Sequence, residues 1–61
     1  MMTYNDLLHR LELYGDDEDA DYYLDDAMSH AKKVTGKRQK YADRVPPFVF
    51  TYLYDKFGIA I

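Results

Sequence analysis

A carboxylate and an imidazole one helical turn apart can share a proton or hold a metal ion, and Asp26 and His30 stand at that spacing. A catalytic zinc normally takes three protein ligands. The chain offers only His9 and His30 as histidines and no cysteine at all. Ser29 beside His30 does not complete a nucleophilic pair, because adjacent helical residues point in different directions. The sequence also lacks a glycine-rich phosphate loop, a nucleophile elbow and an HExxH pair. The expectation is therefore a chain with no catalytic residues, no metal and no cofactor.

The run Asp17-Glu18-Asp19-Ala20-Asp21 has acids where a calcium loop places its first three ligands. That loop then needs glycine at its sixth position and glutamate at its twelfth, where Tyr22 and Met28 stand. A solvated acidic helix start accounts for the run more simply. The same run has a second reading. Seven acids fall between Asp16 and Asp26, and eleven helical residues span about 16 Å. This approaches the charge density of duplex nucleic acid, one charge per ~1.7 Å. Such a face suits an inhibitor of a nucleic-acid-processing protein, in the style of the small regulators carried by phages and plasmids.

Opposite in sign, Lys37, Arg38, Lys40, Tyr41 and Arg44 interleave bases with an aromatic ring. That pattern can hold phosphates and stack on a base. Against it stands a pI of 5.1, where nucleic-acid-binding domains commonly exceed ~9. Nucleic-acid binding through residues 37–44 is the second functional reading. The first rests on the tyrosines, seven in 61 residues, which are enriched at interfaces because an apolar ring carries a hydrogen-bonding tip. Tyr22, Tyr52 and Tyr54, with Asp17, Asp21 and Asp25, are the expected contact residues for a protein partner. Tyr41 is a further aromatic candidate. The partner should be basic, steered by the acidic helix, and a homodimer is the other form such a contact can take.

Three elements must position these residues. Thr3 caps a helix, with Asp6 three residues on in a variant of the capping box. Tyr4, Leu7, Leu8, Leu11 and Tyr14 then repeat at helical spacing up to Gly15, read as a left-handed stop, so helix 1 covers about 4–14. The second helix, about 18–35, carries its apolar stripe on Ala20, Tyr23, Leu24, Ala27, Met28, Ala31 and Val34. Its acids sit at the positive end, Lys32 and Lys33 sit at the negative end, and Gly36 follows as the stop. Residues 37–47 form a basic connector whose middle, Arg38 to Arg44, can make a short helix.

The segment from Phe48 to Phe57 is ambiguous. Phe48, Phe50, Tyr52 and Tyr54 alternate with Val49, Thr51 and Leu53 in a strand pattern. Pro47 and Gly58-Ile59 nevertheless suit the start and stop of a helix. A lone strand has no partner within a helical chain and would have to pair across a dimer. Helix is the reading adopted. The fold class is all-α: a helix hairpin plus a C-terminal aromatic helix, with residues 1–61 as one small domain.

Composition agrees with a globular protein, at 48% hydrophobic and 31% charged residues. No apolar run reaches the 18 or so residues of a membrane span. The first residues lack the basic start and apolar stretch of a secretory signal. With no cysteine this favours the cytoplasm. The net charge of −3 hides a split: residues 1–31 hold nine acids and one base, or −8, and residues 32–61 hold seven bases and two acids, or +5. Mass scaling gives a folded surface of about 4,100 Å², and the apolar part of what folding covers is worth about 90 kcal/mol. Ordering the chain costs about the same, so the domain is marginally stable.

Overall fold

The computed structural model describes all 61 residues and contains three helices: α1 (Tyr4–Leu11), α2 (Asp17–Thr35) and α3 (Pro47–Phe57). The helix-to-helix contacts all run through α2, against which α1 and α3 both pack. One core results, made of Tyr4, Leu7 and Leu11 from α1, Ala20, Leu24, Ala27 and Ala31 from α2, Val49 and Leu53 from α3, with Val45 and Ile59 flanking α3. Four of these eleven residues are alanines or valines on α2 and α3 that leave room for close helix approach while Leu24 and Tyr4 fill the remaining volume. The exposed surface is 4182 Å², in line with the mass scaling. No helix is long and apolar enough to cross a membrane.

Local signals set the helix limits. Thr3 Oγ1 accepts from the Asp6 backbone N–H at 3.2 Å, and an Asp6 carboxylate oxygen accepts from the Thr3 N–H at 3.0 Å, closing the reciprocal cap. Asp16 caps α2 by accepting from Asp19 N–H at 2.9 Å. Gly36 and Gly58 end α2 and α3 with φ of 73° and 72°, a left-handed conformation that costs a Cβ-bearing residue about 1 kcal/mol or more. The Gly58 and Ile59 amides return to the carbonyls of Tyr54 and Leu53, and Ile59 is buried against the core. The C-terminal segment is a helix and not a strand. Its buried positions are Val49 and Leu53, four apart, so the alternating aromatics are shared among different faces.

Two expectations about α1 are corrected. The helix stops at Leu11, and the Leu13 and Tyr14 amides bond three residues back, to Arg10 and Leu11, in a tightened final turn. Gly15 has no positive φ; its lack of a side chain matters because a Cβ there would meet the Asp19 side chain at 3.0 Å. Tyr14 consequently leaves the core and is 51% exposed, its hydroxyl donating to the Ala60 carbonyl. Val34, placed on the apolar stripe by its spacing, is 57% exposed.

The connector makes no short helix. It runs back along the start of α1, where the first amides of a helix have no partners of their own. Tyr4 N–H donates to Asp43 O at 3.1 Å, Asn5 N–H to Tyr41 O at 3.0 Å, and Val45 N–H to Met2 O at 3.0 Å. Thr3 and Arg44 form an antiparallel bridge between them. Tyr4 adds a side-chain tie, its hydroxyl donating to Gln39 Oε1 at 2.8 Å. The basic connector is thus clasped to the N-terminal residues through its backbone, which leaves its charged side chains outward.

Candidate functional site

Three surface regions carry the residues that the sequence singles out. The first is the seam between α2 and α3. The Asp26 carboxylate accepts from Tyr52 OH at 2.9 Å and from Lys56 Nζ at 2.8 Å. The His30 ring lies parallel to Tyr52 at 3.8 Å, with Phe48 edge-on at 5.8 Å. Burial opposes the charge on Asp26, but the hydrogen bonds from Lys56 and Tyr52 outweigh it and hold the carboxyl below its ordinary range. The hydrogen bond that Lys56 donates to Asp26 correspondingly raises the Lys56 ammonium. Asp26 and His30 are therefore engaged by α3, and no three acids or histidines converge as a metal set. Tyr52, expected beside Tyr54 on an exposed patch, is half-buried in this seam because its face of α3 turns toward α2.

The seam makes acid stability depend on Asp26. A carboxyl lowered in the folded state contributes stability that is present above its unfolded value, 3.8, and is lost as pH falls through the lower folded value. Asp6, lowered by its bonds with Thr3, acts in the same direction. Thermal unfolding followed by circular dichroism should show the wild type losing stability below about pH 4. Asp26→Asn should show a flatter acid limb and a cost near neutral pH of about 1–2 kcal/mol. An acid limb identical in the two proteins would remove Asp26 from this role.

The second region is the free end of the helix pair. Tyr54 is 61% exposed and Ile61 39%, and the half-exposed Tyr14 reaches the same tail; Leu13, 79% exposed, precedes Tyr14 in the turn after α1. Phe50, Thr51, Tyr54, Ile59, Ala60 and Ile61 line a shallow cavity of about 310 Å³ there. The Tyr14–Ala60 bond joins the turn after α1 to the tail after α3. Asp16, the first residue of the acidic run, follows Tyr14 by two positions. Asp17, Asp21 and Asp25 are all exposed on α2. Tyr22 is 59% exposed, yet its ring meets Tyr23 at 5.9 Å and Phe57 at 6.0 Å edge-on, so it borders the α2–α3 contact. Leu13, Tyr14 and Ile61 were missed by the sequence reading, since helical spacing placed Tyr14 inside and no period covers the tail.

The third region is a cleft of about 720 Å³ between α2 and the connector, lined by Asp25, Met28, Ser29, Lys32, Arg38, Gln39, Lys40 and Tyr41. It gathers three of the five connector residues singled out for nucleic acid, together with Lys32 from α2. Lys37 and Arg44 lie outside the lining. Lys56 is the only Lys or Arg within ion-pairing distance of a carboxylate, so the connector bases do not pair with the acids of α2. No protein-family model matches the chain, and no curated protein or solved structure matches it significantly.

Proposed function

We propose that this chain is a non-catalytic protein-interaction module, a small regulator or inhibitor that docks a partner with an apolar contact surface and a basic margin. The observation that supports this reading is the exposed Tyr54 and Ile61 lining one shallow cavity, with the exposed Tyr14 tied to it through Ala60. Apolar side chains gathered this way mark interaction sites when polar residues bound them. The polar side is supplied by Asp16 to Asp19, which begins two residues after Tyr14 and continues into the exposed acids of α2. Tyrosine supplies contact area at low entropy cost, and the acids raise the association rate with a basic partner. Pairing of two copies through the same patch would bring both acidic runs to one interface, a repulsion that a basic partner does not meet.

The test is capture from a lysate of the source cells by the tagged wild type and by Tyr54→Ala. Tyr54 is exposed, so its removal should leave the circular dichroism spectrum unchanged. A discrete protein should be retained by the wild type, with at least tenfold weaker binding to Tyr54→Ala, the range of an interface anchor. Joint replacement of Asp17, Asp21 and Asp25 by Asn should mainly slow association. Equal capture by wild type and Tyr54→Ala would overturn the docking surface. Sedimentation showing dimers that Tyr54→Ala dissociates would replace the basic partner with a second copy.

A further inference from the structure

We infer that the cleft between α2 and the connector binds the phosphate-and-base unit of a nucleotide, with Lys32, Arg38 and Lys40 on the phosphate and Tyr41 under the base. Three observations lead there. Lys32, Arg38 and Lys40 arrive from two separate segments and line one cleft, with Asp25 as the only acid among its eight lining residues. None of the three cations has an ion-pair partner. What sets them apart from the other unpaired bases of the chain is that they converge on one cleft. The cleft volume of about 720 Å³ falls within the ~300–1,000 Å³ typical of small-ligand sites.

The cleft walls are fixed in place. The Tyr41 carbonyl accepts from Asn5 N–H, and Lys40 and Asp43 close a turn through Lys40 N–H to Asp43 Oδ2 at 2.9 Å and Asp43 N–H to Lys40 O at 3.0 Å. Gln39 donates to Lys37 O at 2.8 Å while its oxygen holds Tyr4 OH. The connector backbone is therefore ordered before any ligand arrives, which lowers the cost of binding. Tyr41 is half exposed and lines the same cleft, giving a flat apolar surface beside the cations, the combination that holds a base and its phosphate. The first acids of α2 are distant: Asp17 and Lys32 are fifteen helical residues apart, about 22 Å, against a screening length of about 8 Å at physiological salt. Asp25, seven helical residues or about 10 Å from Lys32, is the acid that shares the cleft with the three cations. The site is independent of the Tyr54 patch, so either can fail alone.

Fluorescence anisotropy with a labelled oligothymidylate and, separately, a fluorescent adenosine monophosphate tests the inference at about 50 mM and about 200 mM salt. For the strand, three phosphate contacts predict a slope of about −2 in log K against log salt. The variant Lys32→Gln/Arg38→Gln/Lys40→Gln should lose at least tenfold in affinity, and Tyr41→Ala at least fivefold. The matched variant Lys33→Gln/Lys37→Gln/Arg44→Gln removes equal charge outside the cleft and should stay within about twofold. Circular dichroism checks each fold, and Lys32→Gln alone serves if a triple variant loses helix. Binding of the mononucleotide assigns the site to a free nucleotide, and binding of the strand alone assigns it to single-stranded nucleic acid. Binding of neither probe, equal weakening by the two triple variants, or insensitivity to Tyr41→Ala would each overturn it.

Discussion

Replacing Leu24 with alanine should leave the chain largely unfolded at 37 °C. Leu24 is fully buried near the middle of α2, the helix through which all packing of α1 and α3 passes. Truncating a buried leucine costs about 2–5 kcal/mol, the upper values applying where neighbours cannot collapse into the space. The neighbours on the same face are Ala20, Ala27 and Ala31, which have no rotamers to shift into a void. At roughly 0.05–0.15 kcal/mol per residue, a chain of this length holds about 3–9 kcal/mol in total. The loss is thus comparable with the whole. Thermal unfolding by circular dichroism should show a midpoint at least 10 °C lower, given about 4–8 °C per kcal/mol for small domains. A fall of under 5 °C would mean that the core does not depend on this side chain.

Tyr4→Ala should cost about 3–5 kcal/mol, the range for removing a buried aromatic ring, and its effect should be felt beyond α1. Tyr4 is buried, its amide donates to Asp43 O, and its hydroxyl donates to Gln39. One residue therefore fills the core and anchors the connector. Tyr4→Phe keeps the ring and should cost about 1 kcal/mol. Burial raises the Tyr4 phenol, with the Asp43 charge adding to it; its contribution is complete below the ordinary value of 10.0 and is lost as pH rises through the folded value. Amide exchange separates the two variants. In Tyr4→Ala the Val45 amide, bonded to Met2 O, should exchange much faster, and in Tyr4→Phe it should stay protected. Equal protection in both would show the clasp to be independent of the tyrosine.

What the sequence made legible was local. The Thr3–Asp6 cap, the acidic start of α2 and the stops at Gly36 and Gly58 each involve residues a few positions apart, and each is present. Val34 shows where periodicity misleads. Its spacing continues the stripe one turn beyond the buried Ala31, yet it is 57% exposed; the connector meets the last turn of α2 at Thr35, through Lys37 and Gln39, and leaves Val34 uncovered. Tyr14 and Tyr52 depended on contacts 46 and 26 residues away, which no local pattern encodes. The basic cleft was half visible: composition marked Arg38, Lys40 and Tyr41. Lys32 joins them only because the connector folds back along α1 and faces the last turns of α2.

The bond between Met2 and Val45 also has a kinetic meaning. Closing a loop of some 43 residues costs roughly 3 kcal/mol of chain entropy, a cost that the hairpin of α1 and α2 does not face. That hairpin can form early from short-range contacts, whereas the clasp must wait until the hairpin exists to receive it. Val45 leads directly into α3, so the arrival of the clasp delivers the third helix to its seat. Mutations at Val45 should then speed unfolding while leaving the folding rate nearly unchanged, the mark of an interaction made after the barrier has been crossed.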